Sequence, residues 1–170
     1  PTPWTIIKRI YVDWALLLHH AWITVLEVVF GFGIAVLTGI LTALAIFYWR
    51  VFEKAIYPLL VALQTVPKVV LAPLLVIYLG YGWAPKIFLA FLIAFFPIVI
   101  STVVGLQLLE KPMVNLLRSM GASEWQVFVK LRMPAALSNI FGGFKVGIGL
   151  AVIGAVIGEY VAAERGIGYL

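Results

Sequence analysis

The sequence predicts an all-α, polytopic membrane protein, and three observations carry that expectation. Of its 170 residues, 64% are hydrophobic and 11% charged, at a mean hydropathy of +1.13. A soluble domain of this length has no core able to hide that much apolar surface. The apolar residues also fall in runs longer than the roughly 20 needed for a helix to cross a bilayer, whereas barrel strands would be short and alternating. Finally, a polar interruption at 110–134 separates two of these runs and holds six of the nineteen charged residues.

Four spans follow in order. The first, 21–48, is apolar apart from Glu27, and the second, 55–81, apart from Lys68; 87–109 carries no charge and 135–158 only Lys145. Pro58, Pro67 and Pro73 interrupt the second and Pro97 the third, so kinks are expected where neighbouring helices re-satisfy freed carbonyls. Residues 1–20 mix Trp4, Tyr11 and Trp14 with Lys8, Arg9 and Asp13, the pattern of an interfacial lead-in to a transmembrane domain at 21–170. No small-residue cleavage site follows the basic pair, so a signal peptide is not expected. A start at Pro1 and a stop at Leu170 without a polar tail suggest a trimmed chain.

Charge placement gives an orientation. The 50–54 turn and the 110–134 loop share one side and hold Arg50, Lys54, Lys111, Arg118, Lys130 and Arg132; the other side holds Lys8, Arg9, Lys86 and Arg165. The excess of basic residues puts 110–134 in the cytoplasm. The net charge of +5 fits membrane loops, and no nucleic-acid surface is expected. Cysteine is absent, which excludes disulfides and thiolate metal sites. His19-His20 has no further ligand at metal spacing, and Ser101, Thr102 and Ser138 have no acid or histidine beside them in sequence. No catalytic residue, metal or cofactor is expected.

The polar loop reads as two short helices. Met113, Leu116, Leu117 and Met120 recur at i, i+3, i+4 and i+7, one helix face. Pro112 suits a first turn and Gly121 the left-handed position that ends a helix. Ser123, with Gln126 three residues on, forms a capping box for a second helix whose apolar face is Trp125, Phe128 and Val129. Pro134 marks the turn into the last span. An ordinary interfacial loop resting on lipid would show the same periodicity.

The spacing adds a resemblance. Gly121, nine residues, then Leu131-x-Met133-Pro134 resembles the cytoplasmic EAA loop of bacterial ABC-importer permeases, with its Gly-x9-Ile-x-Leu-Pro pattern. Gln64-Thr65-Val66-Pro67-Lys68 with Leu71-Ala72-Pro73-Leu74, Phe95-Phe96-Pro97, Pro134-Ala135-Ala136-Leu137 and Gly166-Ile167-Gly168-Tyr169-Leu170 are similar to the nitrate/sulfonate/taurine-type group, over about 21–170. The family's Glu-Ala-Ala triplet falls on Asn115-Leu116-Leu117, so its acid is missing here.

That resemblance implies an importer-permease-like core with at least four transmembrane helices, in a bacterial inner membrane. It implies an ATPase subunit pair, a second permease subunit (a homodimer), and a periplasmic or lipid-anchored solute-binding protein. The loop residues Asn115, Arg118, Gly121, Ala122, Ser123, Glu124, Trp125, Phe128 and Pro134 would then form the ATPase-coupling element, with Trp125 and Phe128 as aromatic anchors and Arg118, Glu124 and Lys130 as a charged rim. No Gly-x4-Gly-Lys-Ser/Thr phosphate loop occurs, so hydrolysis is expected on another chain and this one is not an enzyme. Val156-Ile157-Gly158-Glu159-Tyr160 and Pro67-Lys68 look more like members handling vitamin precursors, such as thiamine pyrimidines or riboflavin; sulfonate, taurine and nitrate stay open.

Charges within the spans are costly in lipid, about 2.5–3.5 kcal/mol for a central lysine on insertion scales. Lys68 and Lys145 are therefore candidates for the translocation path, against snorkelling as the plain alternative. Glu27 is expected to pair with a neighbouring span, and Glu159 and Glu164 to lie at the outer end near a gate. Gly143, Gly147 and Ala151, then Gly154 and Gly158, recur every four residues, which suits helix packing within the subunit or a dimer seam. The competing classes are an ion-gradient-driven secondary transporter or channel, which calls for relay carboxylates and internal repeats, and a non-transporting scaffold.

Overall fold

In the computed structural model, which describes residues 2–162 and 165–170, all regular elements among the described residues are helical. Helix α1, Pro3–Val12, carries proline in its first turn and ends at Asp13, whose N–H bonds the Arg9 carbonyl and whose carboxylate pairs with Arg9. Helix α2, Trp14–Tyr48, follows at once. It begins upstream of the expected 21 because no glycine or proline lies between Asp13 and the apolar run.

Helix α3, Arg50–Gln64, continues through Pro58. The chain leaves helical geometry at 65–67, re-forms a 3-10 turn at Lys68–Val70 and then helix α4, Leu71–Leu79. Of the three prolines in the second span, Pro67 marks this break. Pro73 sits in the first turn of α4, where its ring meets no long preceding helix. Helix α5, Trp83–Gln107, runs through Pro97. Helices α6, Lys111–Ser119, and α7, Glu124–Val127, come next. A π-turn at Phe128–Arg132 then joins α7 to α8, Met133–Ala162. A last 3-10 turn spans Ile167–Tyr169. Glu164 lies outside the described residues.

Three helical runs are long and apolar enough to cross a membrane, and the broken pair of α3 and α4 makes up to four. Glu27 meets Lys86, and Gly31 meets Ile87 and Ala90, so α2 and α5 run parallel.

The chain divides into two compact units. The first holds Pro1–Gly33, Pro67–Ile93 and Gly149–Leu170. Its packing centre is Ala90, which is fully buried between two glycines. A Cβ on Gly31 would stand 2.7 Å from the Ala90 Cβ, and one on Gly154 would stand 2.8 Å from the Ala90 Cα. Small residues permit that approach, and dispersion contacts between backbones replace the hydrophobic drive that lipid does not supply.

Buried polar groups hold the rest of this unit. Lys86, 3% exposed, donates to Glu27 at 2.8 Å and to the Arg165 carbonyl at 3.3 Å. Gly158 makes room for it, since a Cβ there would meet the Lys86 backbone at 3.0 Å. Glu159 accepts from the Thr24 hydroxyl at 2.6 Å and from the Gly168 N–H at 2.7 Å. The Gly166 N–H donates to His20 Nδ1, the Ile167 N–H to Thr24, and Tyr169 stacks on the His20 ring. Three successive backbone donors of the 166–168 segment are thus matched by side chains of α2 and α8. Glycine is required at 166, where φ is +118° and a Cβ would collide with the Glu159 carboxylate.

The second unit holds Ile34–Val66 and Ala94–Ile148. Ile98 plays the part of Ala90 here, touched by the positions a Cβ would occupy on Gly39 and Gly147 at 2.9 and 3.0 Å. Leu106, Ala136 and Ile140 form a buried cluster, backed by Leu44, Phe47, Phe128, Met133 and Phe144. Gly143 faces Ser101, Gly147 faces Ile98 and Gly105 faces Ala136, so α5 and α8 run antiparallel. Gln107 donates to Glu53, which ties the end of α5 to α3.

Two outcomes test this packing. Gly154→Val overpacks the Ala90 contact and is expected to cost about 1–3 kcal/mol, read as a lower thermal midpoint in detergent. Lys86→Met strands Glu27 in a buried site and is expected to cost about 3–5 kcal/mol; adding Glu27→Gln restores part of the loss in a double-mutant cycle.

Candidate functional site

The loop between α5 and α8 is built from local rules that reinforce one another. Glu110 precedes α6 in extended geometry, and Pro112 occupies the first turn. The helix ends in a Schellman motif. The Ala122 N–H bonds the Leu117 carbonyl at 3.0 Å, and the Gly121 N–H bonds that of Arg118 at 2.9 Å. Gly121 has φ +85° and open space where a Cβ would stand, so backbone strain alone demands glycine there.

Helix α7 starts with the expected capping box. The Gln126 N–H donates to Ser123 Oγ at 3.3 Å, and the Ser123 N–H donates to Gln126 Oε1 at 2.9 Å. Arg118 then spans the turn as a two-pronged clamp on Glu124, through Nε at 2.7 Å and Nη2 at 3.0 Å. That hydrogen-bonded guanidinium holds the Glu124 carboxyl below the usual carboxylate range. Arg118 and Glu124 therefore form an exposed ion pair with each other.

The two aromatic anchors separate. Trp125 is 69% exposed, while Phe128 is half-buried against the second unit's cluster and lies 5.8 Å from the Tyr48 ring. Trp125 stacks on Phe128 at 5.9 Å, so a half-buried ring props up an exposed one. Sequence periodicity marked Met113, Leu116, Leu117 and Met120 as one apolar face. Val114 is the buried residue of α6, and Met113, Leu116 and Met120 are turned outward. With Trp125 they are the exposed large apolar side chains of the two loop helices.

The expected turn at Pro134 is absent. Helical geometry is continuous over Glu124–Ala162, and Pro134 lies in the first turn of α8. The preceding π-turn is the reason. Its closing bond runs from the Met133 N–H to the Phe128 carbonyl, five residues back, and the extra residue absorbs the proline without a break. Arg132 fastens the joint by donating to the Leu106 carbonyl at 3.2 Å and lying 4.9 Å over the Phe47 ring. A pocket of about 270 Å³ opens beside it, lined by Leu109, Lys111, Val114, Asn115, Arg118 and Arg132. Ala122 is half-buried behind the turn.

The remaining candidates fall on different surfaces. Lys68 opens the 3-10 turn after Pro67 and is half-buried. Lys145 is exposed on α8, on the same face as exposed Ser138 and Gly142 at i−7 and i−3. Gly143 and Gly147 turn toward α5 within the second unit, and Gly154 and Gly158 toward α5 within the first; Ala151 is fully buried. Sequence reasoning missed Lys86, Thr24 and His20 as partners. Lys86 read as a loop charge because it sits just past Gly82, and no spacing rule links it to Glu27.

Known proteins place this architecture. Formylaminopyrimidine transport permease protein ThiX of Halalkalibacterium halodurans is 36% identical over 170 residues, covering 99% of this chain and 68% of that protein. Riboflavin transport system permease protein RibX of Chloroflexus aurantiacus is 40% identical over 121 residues, covering 71% of this chain and 45% of its own length. Taurine transport system permease protein TauC of Escherichia coli is 30% identical over 156 residues, 92% of this chain and 57% of TauC. The family of binding-protein-dependent transport system inner membrane components matches residues 35–170. With its glycine-hinged loop feeding the last span, the chain belongs to that family, the membrane permeases of ABC importers.

Proposed function

We propose that this chain forms the translocation path of an ATP-driven importer and that its 110–134 loop is the cytoplasmic coupling element seated on a separate ATPase subunit. The observation that carries this reading is the rigid loop itself. Glycine cap, capping box and Arg118–Glu124 clamp hold the exposed Met113, Leu116, Met120 and Trp125 in fixed relation. A preformed apolar surface needs little ordering to fill a partner's groove, and an exposed tryptophan is a favoured anchor. Because helical geometry is unbroken from Glu124 to Ala162, displacement of α7 is passed to α8 without a flexible joint.

Helix α1, with exposed Trp4 and Tyr11, lies at the outer interface. The α8 face bearing Ser138, Gly142 and Lys145 is the candidate path lining of the second unit, and Lys68 at the broken span is a separate candidate in the first. An exposed lysine in an apolar helix is tolerated where it meets water or a second subunit rather than acyl chains. A second permease copy closes the path, and a periplasmic or lipid-anchored binding protein delivers solute in a bacterial inner membrane. The solute is a small polar vitamin precursor, a reading supported by the two relatives named for formylaminopyrimidine and riboflavin. TauC and its sulfonate-named counterpart SsuC of Bacillus subtilis, 30% identical, support the alternative of a sulfonate cargo.

The full-length protein should co-purify with a Walker-motif ATPase and take up a formylaminopyrimidine in proteoliposomes. Gly121→Pro is expected to insert normally and abolish that uptake, because proline cannot adopt the left-handed cap. Wild-type transport by this variant, or purification that never recruits an ATPase, defeats the coupling claim. The clamp gives a pH signature. Since the Glu124 carboxyl is held low, its contribution is present above the ordinary carboxylate range and is lost as pH falls through the lowered value. The stability advantage of the native protein over Glu124→Gln should be present at pH 7 and vanish on acidification below that range.

A further inference from the structure

The coupling loop carries a pocket whose charge is inverted relative to what the family pattern leads one to expect. Where that pattern has glutamate, this chain has Asn115, and Lys111 stands four residues before it on the same face of α6. The pocket of about 270 Å³ beneath Asn115 is walled by Lys111, Arg118 and Arg132, with Leu109 and Val114 as its apolar floor; no carboxylate lines it. Glu124 pairs with Arg118 through both of its oxygens, so that clamp neutralises Arg118 and the cations left to the pocket are Lys111 and Arg132. Arg132 is fixed by the Leu106 carbonyl and the Phe47 ring, so its charge stays at the pocket wall. Lys111 and Asn115 are exposed and supply an ammonium and an amide donor at the mouth.

We propose that this pocket receives an acidic side chain of the ATPase subunit, an aspartate or glutamate that enters between Lys111 and Asn115 toward Arg132. The inference rests on the coupling reading above and names the chemistry of its partner. Charge complementarity selects the occupant. A buried carboxylate requires charged or amide donors around it, and this pocket offers the cations Lys111 and Arg132 and the Asn115 amide, with Arg118 already paired to Glu124. Continuity supports it, since Asn115 is adjacent in sequence to exposed Leu116 and one turn from Arg118 of the clamp. The arrangement divides the labour at the docking surface. Trp125 and the methionines contribute apolar contact, and the Asn115 pocket fixes register and partner choice.

The test uses the full-length protein with its cognate ATPase, in nanodiscs of neutral phosphatidylcholine, with affinity measured by titration. Asn115→Glu puts a carboxylate where the partner's would sit. It is expected to weaken ATPase binding on the order of ten- to a hundredfold. Asn115→Lys is expected to bind at least as well as the native protein, and binding should weaken as salt rises. Undiminished binding by Asn115→Glu, while Trp125→Ala still weakens it, overturns the pocket and leaves the coupling surface standing. If none of Asn115→Glu, Trp125→Ala and Gly121→Pro changes ATPase binding, the coupling reading itself has failed. If the Asn115→Glu defect appears only when phosphatidylglycerol is added, the occupant is a lipid headgroup and the proposal is overturned.

Discussion

Close approach of helix backbones across glycine is the constraint on which most of this structure depends. Ala90 between Gly31 and Gly154, and Ile98 between Gly39 and Gly147, each lock three helices at a distance that no larger side chain permits. In lipid, helix association gains little from excluding water, so short-range packing and satisfied polar groups have to supply the stability. The same closeness brings Lys86 within 2.8 Å of Glu27 and seats the 166–168 backbone on His20, Thr24 and Glu159. Without glycine at 158, the Lys86 backbone would be displaced and its ammonium would lose that reach. The buried charges are therefore a consequence of the packing, and they in turn make the packing specific, because no slipped register matches them all.

At the loop the controlling feature is one extra residue. The π-turn at Phe128–Arg132 inserts a residue into an otherwise continuous helix. It thereby sets which side chains face the core on either side of it. Phe128 turns onto Tyr48 and the cluster, and Arg132 onto Phe47, while Trp125 is left outward. An ordinary α-helical register with Pro134 in place would set the proline ring against the carbonyl four residues earlier. The bulge relieves that clash and keeps the connection stiff, which a turn would not.

How far the sequence disclosed this depends on whether the deciding interaction was local. Gly121, Pro112 and the Ser123–Gln126 box obey rules that span a few residues, and the structure realises all three. The family, too, was legible in short spaced motifs. Periodicity told less. It grouped Met113, Leu116 and Met120 on one face, yet could not say that Val114 would be the residue turned inward. It grouped Gly143, Gly147, Gly154 and Gly158, yet could not say that α5 would be what they face. Lys86 was hidden for another reason. A charge-free criterion for a span ends the helix at Ile87, whereas a lysine neutralised by a glutamate 59 residues away belongs inside it. The break at 65–67 rather than at Pro58 likewise depends on which carbonyls find other donors, a tertiary question.

Helix α8 is where these constraints meet. One face is committed to α5 by its glycines, so the orientation of the helix about its axis is fixed by packing. The opposite face then has no choice about what it presents, and it presents Ser138, Gly142 and Lys145. Exposed Phe141 and Val152 neighbour them, so that side of the helix mixes small, polar and large apolar residues. The π-turn ties the same helix to α7, and through it to the exposed tryptophan.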